Sequence, residues 1–253
     1  MKVLIQSLDF ATFTLGEYAR SGRILIEMLI TAGCLLLFFR NSGQAPPPEY
    51  FFSIAGVFTL ALTLYSGTTL LAMGDRPQGY LPIAHGLERS SYLLGLYLAV
   101  LSIVAVAYGG LSLGVAIINP VQDLQVRDWL LGTIPLLLNV ALLAALMTLM
   151  TPIVLSAGWR LVALALVALA FSGNLIGGPT LASMPAPLAT TLDVIRTVFG
   201  APLLPAFTGF ALAVSRDYSG ISAVVPLSQL FLTLGILGLA AFLFSRRELV
   251  LGT

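Results

Sequence analysis

The chain has 253 residues, 58% of them hydrophobic and only 9% charged, and its mean hydropathy is +1.00. About a quarter of the residues in a soluble domain are charged, so this composition excludes a soluble globular protein and predicts an integral membrane protein. The net charge of +1 and the single lysine, Lys2, leave no basic surface to neutralise a run of phosphates, which argues against nucleic acid as a partner.

Only helices and closed barrels satisfy every backbone N–H and C=O in hydrocarbon, and the apolar runs here lack the polar alternation of barrel strands. The expected fold is a single all-α membrane domain. The N-terminal MKVLIQSLDFATF has no long apolar core followed by a small-residue cleavage site, so no removed signal peptide is expected. Leu4, Leu8, Ala11, Leu15 and Tyr18 recur at helical spacing, with Lys2, Gln6, Asp9, Glu17 and Arg20 mostly on the other side. That pattern predicts an amphipathic helix within residues 1–23 that lies in the membrane interface; a poorly ordered leader is the plainer alternative.

Six apolar runs then approach the roughly 20 residues needed to cross the bilayer, at about 24–39, 51–73, 91–118, 129–155, 160–177 and 225–244. Positive residues are retained on the cytoplasmic side. With both termini inside, Lys2, Arg20, Arg23, Arg76, Arg89, Arg160, Arg246 and Arg247 are cytoplasmic, whereas Arg40, Arg127, Arg196 and Arg216 are outside, eight against four. Residues 178–224 hold two apolar pieces broken by Pro202 and Pro205, each too short to cross. They predict an outer re-entrant helical hairpin between spans five and six, with one further span pair as the alternative.

Few groups in the spans could do chemistry. Glu27 lies four residues after Arg23, where an ion pair at the interface would hold it; a proton or ion site is the second reading. Asn139 and Asn174 are expected to bond neighbouring helices, and the pairs Gly110 with Gly114 and Gly173 with Gly177 to allow close packing or a dimer seam. Cys34 sits inside an apolar run and reads as a small hydrophobe. One histidine, His85, in a loop cannot supply a paired-histidine metal site or an intramembrane serine triad. No aspartate cluster exists to hold magnesium, and no GxxxxGK[ST] motif is present. Enzymatic function and a metal or nucleotide cofactor in this chain are therefore not expected.

The connection at 74–90 is the most specific feature. Tyr80, Leu81, Ile83, Ala84 and Leu87 are apolar, His85 among them is expected to face solvent as a contact residue, and Arg76, Glu88 and Arg89 ring them. A short helix with those apolar residues exposed to water needs a covering protein, with apolar anchors inside and charges at the rim. Pro82 suits a first helical turn, and Ser90 or Ser91 is a candidate cap for span three. A connecting loop resting on lipid headgroups is the plainer alternative.

Residues 79–99, from Gly79-Tyr80-Leu81-Pro82 through Tyr92-Leu93-Leu94-Gly95, resemble the cytoplasmic loop after the second span of ABC-2 type permeases. The layout of an interfacial helix, six spans and outer helices between spans five and six is similar too. Leu96 departs from the lysine that many relatives carry after the glycine, and the acidic approach to the loop is reduced to Asp75 beside Arg76. The resemblance implies a permease dimer in a prokaryotic cytoplasmic membrane, formed with a copy or a paralogue and driven by two separate ATPase subunits that bind ATP and Mg. Tyr80, Leu81, Ile83, Ala84, His85, Leu87, Glu88 and Arg89 would then form the coupling surface. Short outer segments imply an exporter, and apolar walls suit a lipidic or hydrophobic substrate. A membrane scaffold that binds another cytoplasmic partner, and an ion-coupled carrier, are the competing classes.

Overall fold

The computed structural model describes residues 2–40, 45–74, 81–84, 86–162, 164, 190, 194 and 204–246. Its elements are helices: α1 (Lys2–Arg20), α2 (Ile24–Phe38), α3 (Pro48–Gly74), α4 (Leu81–Ala84), α5 (Arg89–Ile118), α6 (Val126–Leu149), α7 (Leu204–Ser215), a 3-10 turn (Gly220–Val224) and α8 (Val225–Arg246). Among the described residues four helical stretches are long and apolar enough to cross a membrane, or five if α1 and α2 together form one bent span. The segment expected to form span five and the first limb of the outer hairpin lie almost wholly outside the described residues. Asn174, Gly173 and Gly177 are among those not described.

Local chemistry explains most helix boundaries. α3 starts on Pro48, whose missing N–H costs nothing in a first turn, and carries Glu49 at the positive end of the helix dipole. α6 stops at Leu149 rather than continuing to 155 as the hydropathy suggests. Pro152 disfavours helical backbone at Thr151, whose hydroxyl turns back onto the Thr148 carbonyl at 2.8 Å. The chain then turns inward and buries Ile153 and Val154. α7 ends in a left-handed residue, Arg216 (φ 56), whose N–H reaches the Leu212 carbonyl at 2.8 Å.

The first span differs most from expectation. α2 has 15 residues, about 22 Å of helix at ~1.5 Å per residue, which is short of the ~30 Å hydrocarbon core. It meets the length and composition of a span only together with α1, from which it is bent by 79°. The bend falls at Ser21–Arg23, where Gly22 takes φ 76, a left-handed value that glycine adopts without a Cβ clash.

The stripe expected on α1 also divides. Ala11 and Tyr18 are buried and Leu15 is half-buried, but Leu4 and Leu8 are exposed beside Ile5 and Phe13. The buried side is Ser7, Ala11, Thr14 and Tyr18, and it follows the first half of α5. Val3 meets Ser91, Ser7 and Phe10 meet Gly95, and Tyr18 shares a cluster with Ile103. Small polar residues occupy that face because their hydroxyls bond carbonyls of their own helix, Ser7 to Val3 at 2.7 Å and Thr14 to Phe10 at 2.8 Å, so burial leaves no free donor.

Three apolar clusters stack through the bundle. One joins α2, α3, α5, α6 and α7 around Phe51, Phe52 and Tyr108; the second joins α1, α3, α5, α6 and α8 around Tyr18 and Val100. The third gathers Leu71, Tyr92, Leu93, Leu96, Ile153, Val154, Ala240 and Phe244 near α4. Two ends of the bundle follow from the contacts. At one, the Gln122 N–H donates to the Pro46 carbonyl at 3.0 Å and Arg216 pairs with Glu49. At the other lie α4, the turn after α6 and the end of α8.

Candidate functional site

Between α3 and α5, Pro82, Ile83 and Leu87 pack back on the bundle. α4 is one helical turn, followed by Gly86 at φ 94, and the N–H groups of Gly86 and Leu87 close the turn on the Ile83 and Pro82 carbonyls at 3.1 and 3.0 Å. Ile83 and Leu87 are half-buried and pack against the third cluster, and Pro82 and Leu87 face Gln6, Asp9, Phe10 and Phe13 of α1 across a small cleft. The expectation of an apolar patch turned to water does not hold for Ile83 and Leu87, because the neighbouring helix ends offer them a nearer apolar surface. Tyr80 and His85 lie outside the described residues, and of Leu81 and Ala84 the helical backbone is described.

Glu88 and Arg89 mark the start of α5. Glu88 is the exposed N-cap residue, its carboxylate at the positive end of the helix dipole. The Tyr92 N–H closes on the Glu88 carbonyl at 2.9 Å, so the helix begins before the serines expected to cap it. The Ser91 hydroxyl instead ties α5 to α1, 3.3 Å from both the Val3 carbonyl and Gln6 Oε1. Arg89 donates to the Ser245 carbonyl at 3.3 Å, a cation at the negative end of α8. The loop is thereby attached to α1, α5 and α8 at once.

Glu27 is the second candidate, and its geometry differs from expectation. The carboxyl group is buried, with the residue 3% exposed, and makes no ion pair with Arg23 within 4.0 Å. The bend at Gly22 turns it toward α1 and α3. Glu27 Oε1 accepts the Tyr18 hydroxyl at 2.7 Å and the Ser66 hydroxyl at 2.5 Å, while Oε2 has no partner. Nothing in the spacing points to Tyr18 or Ser66, which stand 9 and 39 residues away.

A buried amide pair, Asn139 with Gln229, links α6 to α8. Gln229 Nε2 donates to Asn139 Oδ1 at 2.7 Å and to the Pro135 carbonyl at 3.3 Å. Asn139 thus bonds a neighbouring helix as expected, and its partner Gln229, a glutamine inside an apolar span, carries the same signal in the sequence. Gly209 of α7 lies against both amides so closely that a Cβ there would collide with the Gln229 side chain. Gly114 packs on Leu35 of α2, while Gly110 has open space around it.

The opposite end is closed by polar contacts. Arg216 pairs with Glu49 and lies 5.8 Å over the Phe52 ring. Asp217 accepts the Ser219 N–H at 3.0 Å, which holds its carboxyl below the usual range. Tyr218, whose phenol burial raises, donates to the Leu131 carbonyl at 2.6 Å. Among the described residues no three His, Cys, Asp or Glu gather to hold a metal ion. No family model, curated protein or solved structure matches the chain. The helices establish a membrane protein, and its function is argued from the geometry above.

Proposed function

We propose that this chain is the transmembrane permease subunit of an ATP-driven ABC transporter, an exporter of a lipidic or hydrophobic substrate. Two ATPase subunits would bind ATP and Mg, and a second permease protomer, a copy or a paralogue, would complete the channel. In this reading the chain makes six spans with both termini and the α4 connection on the cytoplasmic face, and α7 is the returning limb of an outer hairpin. α7 is a 12-residue apolar helix and too short to cross, which fits that limb.

The observation that carries the proposal is the attachment of the 81–89 segment to three helices. Leu87 and Pro82 press on α1, Ile83 and Leu87 on the cluster of α5 and α8 residues, and Arg89 on the end of α8. A packed segment transmits displacement because its contacts have few alternative arrangements. An ATPase that moves this segment would move the ends of those helices with it, and so shift the population between inward-open and outward-open states.

The test is association and ATP-driven transport with an ABC ATPase subunit. Leu81→Asp and Glu88→Lys are expected to abolish co-purification and ATP-driven export while the protein remains folded. Retention of both activities by both variants would remove the basis for the reading. Stoichiometric capture of a partner without a P-loop would instead favour a scaffold.

A further inference from the structure

A groove of about 460 Å³ runs between the α1–α2 bend and the middle of α5. Its walls are apolar, with Leu15, Ile24, Met28, Leu35, Val106 and Leu111 prominent, and its polar groups are Glu27, Thr31 and Ser102. The space at Gly110 keeps one side open. The volume falls within the range of sites for small organic ligands.

The three polar groups share one property. The Thr31 hydroxyl spends its proton on the Glu27 carbonyl at 2.7 Å, and the Ser102 hydroxyl spends its proton on the Leu98 carbonyl at 2.8 Å. Both Tyr18 and Ser66 donate to Glu27 Oε1 and leave the other carboxyl oxygen to itself. Oε2 is buried, unbonded, and without a cation within 4.0 Å. The polar side of the groove therefore presents acceptors and negative charge. A buried carboxylate with one idle oxygen costs free energy until a cation or donor reaches it.

We propose that this groove binds an amphiphile with a protonated primary amine, the ammonium on Glu27 Oε2 and the alkyl chain along α2 and α5. An ammonium has three donors and no acceptor, which matches an acceptor-only surface, whereas a hydroxyl or zwitterionic headgroup leaves an acceptor facing acceptors. A bare inorganic ion would meet the charge but leave the apolar walls unfilled. The site stands on this geometry and does not require the permease reading.

The experiment is calorimetric titration of octylammonium chloride into the full chain in phosphatidylcholine nanodiscs, with empty nanodiscs subtracted. Saturable binding is expected, and 1-octanol and sodium chloride should neither bind nor compete. Glu27→Gln keeps an oxygen for Tyr18 and Ser66, so it should fold yet bind at least tenfold more weakly. Gly110→Leu, which fills the open side with Glu27 intact, should weaken binding as well. Equal binding of octanol, competition by sodium, or octylammonium affinity unchanged in Glu27→Gln would each overturn the proposal.

Discussion

The Tyr218 hydroxyl donates at 2.6 Å to the carbonyl of Leu131, the residue four places before Pro135 in α6. Proline has no N–H, so that carbonyl has no partner within its own helix. A side chain from the loop between α7 and α8 takes the missing place. Tyr218→Phe should lower stability by about 1–2 kcal/mol, the cost of a part-buried unpaired carbonyl. With Pro135→Ala the helix can serve Leu131 itself, and the cost of Tyr218→Phe should shrink. Thermal unfolding of the four proteins of this cycle in one detergent checks the coupling; equal costs in both backgrounds would refute it.

The same phenol predicts a pH dependence. Burial raises the Tyr218 pKa above its ordinary 10.0, so the folded protein keeps the proton that the unfolded chain loses first. Its contribution is complete below that value and is lost as pH rises through the raised one. Melting temperature should therefore fall above about pH 10, and less steeply in Tyr218→Phe, in a comparison of the two proteins over alkaline pH.

Arg216 combines a left-handed backbone with a pair to Glu49. Arg216→Ala loses the pair and keeps the strain, whereas Arg216→Gly loses the pair and relieves it. Gly should be more stable than Ala here by about 1 kcal/mol. Glu49 is more than half exposed, so Glu49→Gln should cost under ~1 kcal/mol and less at high salt. Denaturation at two ionic strengths reads both effects.

Gly209→Ala should be costly for a different reason. The added methyl meets the Gln229 amide, which is fully buried and held by Asn139 and the Pro135 carbonyl. Either the amide moves and loses its bonds or α7 shifts outward, at about 1–3 kcal/mol. Gly110→Ala, with open space around it, should be close to neutral on the same melting assay.

Leu87 and Glu88 separate folding from docking. Leu87→Asp places a charge against the third cluster and should lower the melting temperature of the isolated chain. Glu88→Lys lies on the surface at the positive end of the α5 dipole, so it should lower melting only slightly while it weakens partner association. The opposite ranking would mean that the segment does not pack as described.

Continuous apolarity determined, by itself, that the chain is a helical membrane protein. It placed the helices now labelled α3, α5 and α8, and the start of α6, to within a few residues, because backbone groups in hydrocarbon leave only that solution. Pro152 and Gly22 were legible as residues, yet the stop at Leu149 and the bend of 79° depend on geometry that hydropathy does not encode. The partners of Glu27 and Leu131 were decided by tertiary structure alone. A hydroxyl satisfies a buried oxygen by proximity in space, and Tyr18, Ser66 and Tyr218 reach theirs only after the bend and the α7–α8 loop have been packed. The direction of Ile83 and Leu87 was decided likewise, since an apolar side chain packs on whichever surface the fold brings nearest.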